Sequence, residues 1–133
     1  MLGSKRLLAY LYSYGHPDCK FLSESRLPEQ LDCRKLLAER QEYVIKEAVG
    51  LGGNGVHIGL NTDIKTWEQL VNKVAARPKS YVLQRYCNPV VTGTSSNIVF
   101  GQLLFSGRNG GVLMRYNDSS ESKVVNSKGG AFF

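Results

Sequence analysis

Tyr43–Gly59 reads YVIKEAVGLGGNGVHIG, and the class of the whole chain turns on how this stretch is interpreted. Tyr43-Val44-Ile45 is an aromatic and β-branched run, which suits a buried strand. Lys46 follows, and then five of the ten residues from 50 to 59 are glycine: Gly50, Gly52, Gly53, Gly55 and Gly59. Val56-His57-Ile58, inside that stretch, reads as a second short strand. The unit is therefore strand, glycine-rich turn, strand. Consecutive glycines let main-chain N–H groups point at an anion without side-chain obstruction, and a neighbouring lysine adds a fixed positive charge. Two other phosphate-binding loops are excluded. A Walker loop needs Gly-Lys-Ser/Thr opening a helix, and that tripeptide does not occur. A dinucleotide fingerprint needs a helix directly after the glycines, where this chain has a β-branched run. On the glycines alone, a flexible hairpin without a ligand is as good a reading as a phosphate flap.

The flanking sequence completes the pattern. Residues 3–13 and 28–40 read as two helices, with Leu7, Leu8 and Leu11 on one face of the first and Leu31, Leu36 and Leu37 on one side of the second. Residues 63–77 form the clearest helix, capped by Thr62 or Asp63, with Trp67, Leu70, Val71, Val74 and Ala75 as a one-sided stripe. Pro78 ends it. Tyr81–Tyr86 reads as a strand, Val91–Ser96 as a polar loop and Asn97–Ser106 as a long strand. Arg108-Asn109-Gly110-Gly111 reads as the hairpin turn, Val112–Tyr116 as the return strand and Lys123–Asn126 as a last strand. The expected class is α+β, a mostly antiparallel sheet with flanking helices. The expected division is a helical N-terminal segment, 1–42, and a second part, 43–133. The apolar ending Ala131-Phe132-Phe133, directly after Gly129-Gly130, reads as a cut within a longer protein.

The chain has 133 residues, 42% of them apolar and 21% charged, an ordinary globular balance that disfavours disorder and coiled coil. No apolar run approaches the roughly 18 residues of a membrane span. The three cysteines, Cys19, Cys33 and Cys87, are odd in number and widely spaced, so a reducing, cytoplasmic setting is expected rather than a disulfide framework. The formal net charge is +6. Residues 1–42 nearly cancel, with seven basic and six acidic side chains, whereas residues 43–133 hold ten and five. Nucleic acid, nucleotide phosphates and an acidic small substrate all fit such a surplus, and so does a merely soluble surface.

Lys46, the Gly50–Gly55 turn, the capped amphipathic helix and YVLQRYC at 81–87 together resemble the ATP-grasp fold in its circularly permuted form. The C-terminal run adds to the likeness, a strand pair leading through Gly-Gly to Arg115, then Val-Val-Asn and Gly129-Gly130. The resemblance covers roughly residues 41–131. It extends to circularly permuted ATP-grasp proteins of unassigned substrate and, more distantly, to glutathionylspermidine synthetase and the eukaryotic type of glutathione synthetase. It implies that Lys46 touches nucleotide phosphates and that Gly52, Gly53, Asn54 and Gly55 form the flap over them. It places Gln84 near the adenine, and the backbone of Tyr86 and Cys87 at the hinge that meets the adenine edge. Arg115 would face an acyl-phosphate or acidic substrate, with Asn126 in the active-site loop. The implied cofactors are ATP and Mg2+, with most Mg2+ ligands outside this chain. The implied partners are the nucleotide, an acidic small-molecule or peptide substrate and the remainder of the parent protein; no membrane partner is expected, and nucleic acid is the less favoured alternative.

Two positions depart from the family pattern. Val49 stands where relatives carry an acid, and Arg85 where they favour a glutamate against the adenine amine. The implied function is the ATP-binding portion of a carboxylate–amine ligase acting through an acyl-phosphate, the isolated chain being without turnover. A catalytically inactive scaffold and a small basic nucleic-acid-binding domain are the alternatives, and a homodimer through open sheet edges stays open. His16 with Cys19 and Cys33 lacks the fourth ligand and the spacing of a zinc site.

Overall fold

The computed structural model describes residues 4–17, 19, 22–50, 53–88, 90–91, 97–117 and 131–132. Over these residues the chain is mixed α+β, with two four-stranded antiparallel sheets and helices beside the first. The chain forms two compact units, Met1–Cys87 and Asn88–Phe133.

In the first unit the elements in chain order are α1 (Arg6–Ser13), β1 (Ser25–Arg26), α2 (Cys33–Ala38), β2 (Tyr43–Glu47), β3 (Val56–Ile58), α3 (Ile64–Ala76) and β4 (Tyr81–Arg85). The sheet order is β1-β4-β2-β3. The central pair β2–β4 places Tyr43 opposite Arg85, Val44 opposite Gln84, Ile45 opposite Leu83 and Lys46 opposite Val82. Because side chains alternate between faces, this register separates two chemistries. One face carries Tyr43, Ile45 and Leu83, which pack with Leu36 and with the α3 stripe Trp67, Leu70, Val71 and Val74 as the main core. The other carries Lys46, Gln84 and Val82, and there Ala9 of α1 and Leu27 close over Val82 as a smaller cluster.

The helix starts follow from their caps. Asp63 Oδ1 accepts the Thr66 N–H at 2.9 Å at the head of α3, and Asp32 Oδ1 accepts the Arg34 N–H at 2.8 Å at the head of α2. Residues 28–40, expected as one helix, are instead a 3-10 turn at Pro28–Gln30 followed by the six-residue α2. Leu31 lies between them in extended conformation, so the polar Asp32 cap restarts the helix. Ala75, expected in the α3 stripe, is exposed.

The N-terminal 42 residues belong to this unit rather than forming one of their own. Ser25 and Arg26 pair with Gln84 and Leu83 as an edge strand. Arg6 donates to the carbonyls of Pro78 and Tyr81 and forms an ion pair with Glu29 at 2.8 Å. The two compact units divide between residues 87 and 88.

In the second unit, β5 (Val90–Val91), β6 (Asn97–Phe105), β7 (Arg108–Asn117) and β8 (Ala131–Phe132) pair in that order. The β6–β7 hairpin turns at Ser106-Gly107, not at Arg108–Gly111 as the sequence suggested. Ser106 and Gly107 both have positive φ, 50° and 75°, the requirement of the two-residue turn that matches strand twist. Asn109, Gly110 and Gly111 lie inside β7, where the register shifts by a bulge between Leu103 and Leu104. The strand expected at Lys123–Asn126 lies outside the described residues. Among the described residues, no helix is long and apolar enough to cross a membrane.

Candidate functional site

The candidate site is the Lys46 face of the β1-β4-β2-β3 sheet. Lys46 and Gln84 are 38 residues apart in sequence, yet the antiparallel register of β2 and β4 sets them as diagonal neighbours. Lys46 Nζ donates to Gln84 Oε1. Gln84 Nε2 donates in turn to Ser25 Oγ at 3.3 Å, and Ser25 Oγ donates to the Ser23 carbonyl at 3.1 Å. Ser25 is 2% exposed and is the buried polar residue of the described fold.

No carboxylate meets the Lys46 ammonium among the described residues. Partial burial holds its pKa below the usual lysine range, repulsion from Lys5 adds to this, and Cys87 opposes it. A desolvated cation whose partner among the described residues is a neutral amide is a natural receiver of an anion. Lys5 itself is tied to the start of the glycine turn. Its N–H donates to Ala48 O at 2.9 Å, and its ammonium donates to the carbonyls of Glu47 and Gly50 at 3.1 and 2.9 Å.

The turn between β2 and β3 closes as a hairpin, with the Glu47 N–H donating to Gly55 O at 2.9 Å. Gly53 and Gly55 have φ of 82° and 67°, and a side chain at Gly55 would collide with that of Glu47. Asn54 is exposed at the turn. Gly52 lies outside the described residues.

At the end of β4, the Arg85 N–H donates to Glu24 O and the Tyr86 N–H to Glu42 O, both at 2.8 Å. The Tyr86 main-chain donor is therefore already engaged within the fold. Cys87 is an exposed thiol, with its Sγ 3.3 Å from Ser23 Oγ. Arg85 alternates with Gln84 and belongs to the opposite face. It forms ion pairs with Glu42 and Glu39, and its guanidinium stacks 5.3 Å from the Tyr43 ring centroid. Arg85, which stands where the resemblance expects a glutamate, thus falls outside the Lys46 face. Val49 is 71% exposed beside the turn.

Arg115 belongs to the second unit, in β7 opposite Val99. Its Nε is shielded and has no hydrogen-bond partner among the described residues. Asn126 lies outside the described residues. Sequence reading missed Ser25 and Lys5: the first sits on a two-residue strand with no periodicity to reveal it, and the second acts through carbonyls far along the chain.

Besides a concavity of about 380 Å³ with Ser25 in its wall, two concavities of the first unit lie elsewhere. One of about 370 Å³ runs between α2 and α3, with Glu39, Glu42, Glu68 and Trp67 in its wall. The other, about 420 Å³, lies between Glu47–Val49 and Arg77–Tyr81. Neither is lined by Lys46 or Gln84, and the acidic wall of the first disfavours an anion, so donor chemistry rather than volume selects the site. Among the described residues there is no group of three His, Cys, Asp or Glu side chains able to hold a metal ion. A scan of the chain against protein-family models and a search of the curated proteins each found no match.

Proposed function

We propose that this chain supplies the nucleotide-phosphate-binding part of an ATP-dependent carboxylate–amine ligase of the ATP-grasp kind. The observation that carries the reading is the Lys46–Gln84 contact. A lysine that meets no carboxylate among the described residues lies beside an amide side chain on the adjoining strand, directly before a glycine hairpin. In this reading Lys46 neutralises charge on the phosphates, and the hairpin from Gly50 to Gly55, with Asn54 at its tip, covers them. Gln84 and the main chain at Cys87 lie toward the base.

Bound ATP would supply a phosphoryl group to a substrate carboxylate, whose acyl-phosphate an amine then attacks. No side-chain nucleophile is required. The residues of this chain act by positioning and by charge neutralisation. Among the described residues no group of three His, Cys, Asp or Glu side chains could hold Mg2+, and the resemblance puts most of its ligands outside this chain. By the resemblance alone, Arg115 is assigned to the acyl-phosphate or acidic substrate and Asn126 to the active-site loop.

Calorimetric titration of the full chain with MgATP tests the reading. Lys46→Ala should weaken binding at least tenfold, which corresponds to about 1.4 kcal/mol. Lys73→Ala, on the exposed side of α3, should leave it unchanged. Equal affinity of Lys46→Ala and the parent chain would overturn the assignment.

A further inference from the structure

The hydrogen bonds on the Lys46 face have a direction that is set at both ends. The ammonium of Lys46 only donates, and the Ser23 carbonyl only accepts. Between them lie two groups that can act either way, the Gln84 carboxamide and the Ser25 hydroxyl. Ser25 Oγ donates to Ser23 O, which leaves its lone pair to accept from Gln84 Nε2. That in turn leaves Gln84 Oε1, and not its NH2 group, to face Lys46. The whole chain has one self-consistent polarity. Reversing the carboxamide would set two donors against each other at Lys46 and two oxygens against each other at Ser25, whose proton is already committed to Ser23.

We propose that Ser25 is a positioning residue for the phosphate-binding lysine, holding the Gln84 carboxamide with its oxygen toward the Lys46 ammonium. The inference rests on the nucleotide reading only for what Lys46 binds; the orientation itself is a property of the free protein. Burial gives the arrangement its force, because Ser25 is 2% exposed and water has little access to substitute for its hydroxyl. β1 has only two residues, and Ser25 is the one placed opposite Gln84. This edge strand thereby brings the N-terminal segment to the site without contacting a ligand.

The test is an NMR titration of Lys46 in the full chain without ligand, using the side-chain ammonium and Cε signals. The other titratable groups acting on Lys46 are Lys5, before α1, and Cys87, after β4, and both are retained in every variant. In Ser25→Ala the carboxamide loses its anchor at Nε2, so its oxygen is held less firmly against Lys46. The lysine pKa should then fall further below that of the parent, and Ser25→Thr, which keeps the hydroxyl, should restore it. Gln84→Met should also lower it, and adding Ser25→Ala to Gln84→Met should change nothing more, since the two act through one path. An unchanged Lys46 pKa in Ser25→Ala, or an equal further fall in the Gln84→Met background, would overturn the proposal.

MgATP titration of the same variants separates this from the functional reading. Ser25→Ala should weaken binding about three- to tenfold, the scale of one hydrogen bond to a charged-site network. A chain that binds no MgATP, yet shows the expected lysine shifts, sinks the nucleotide assignment and leaves the positioning role standing.

Discussion

Lys46 occupies a position that costs the fold, and in the proposed function an anion relieves that cost. Its charged form is disfavoured by burial, so its pKa in the folded chain lies below that in the unfolded chain. Between those two values the unfolded state binds more protons, and stability therefore rises with pH there. Below the folded value the penalty is full; above the ordinary lysine value, near 10.4, it is gone. Urea denaturation across the alkaline range should show the parent gaining stability relative to Lys46→Met as pH rises through that window. At neutral pH, Lys46→Met should match or exceed the parent in stability while losing MgATP affinity. A variant both less stable and unaltered in binding would mark Lys46 as purely structural. The sequence showed Lys46 and Gln84 as separate candidates, each in the right kind of strand. Their contact was not legible, because it depends on the β2–β4 register, which joins residues far apart in the chain. Arg85 illustrates the converse: it departs from the pattern that the resemblance implies, but alternation carries it to the Tyr43 side, where Glu39 and Glu42 hold it.

Among the elements, α3 was the most legible, because its stripe and its cap agree. Trp67, Leu70, Val71 and Val74 are all buried in the core, and Asp63 caps the first turn. The hydrogen bond from Thr66 holds the Asp63 carboxyl below its usual pKa. The cap's contribution is thus present above the ordinary Asp value and is lost as pH falls through the lower, folded value. Thermal melts should separate the parent from Asp63→Ala at pH 7 and bring the two together in strong acid. The β6–β7 hairpin was legible as a pair of strands but not in its turn. Arg-Asn-Gly-Gly is richer in turn residues than Ser-Gly, yet its glycines serve a bulge within β7. Gly107→Ala should destabilise the hairpin by about 1 kcal/mol, since φ there is 75°. Ser106→Asn should stabilise it, Asn-Gly being the favoured pair for such a turn. Hydrogen exchange of the β6 and β7 amides would read both.

For the molecule as a whole, the order of elements indicated the α+β class, and a change of pattern at Tyr43 suggested a division there. That change is real, since the β-rich part begins there. What it could not show is that Leu36 and Leu27 complete the two clusters on either face of the sheet, and that Ser25–Arg26 pair with β4. A fragment of residues 1–87 should therefore give a dispersed amide spectrum and cooperative urea unfolding. A fragment beginning at residue 43 should give neither, because the α3 stripe and Val82 lose part of their cover. Cooperative folding of the 43–133 fragment would show that the first 42 residues are an accessory.

The chain holds one tryptophan, Trp67, 1% exposed, with its indole N–H donating to Leu36 O at 3.0 Å. Its fluorescence is accordingly a built-in reporter of the first unit alone: blue-shifted while α2 and α3 stay docked, red-shifted once they part. Melting followed at that wavelength is blind to residues 88–133, and a far-ultraviolet dichroism curve with a different midpoint would reveal the second unit unfolding on its own.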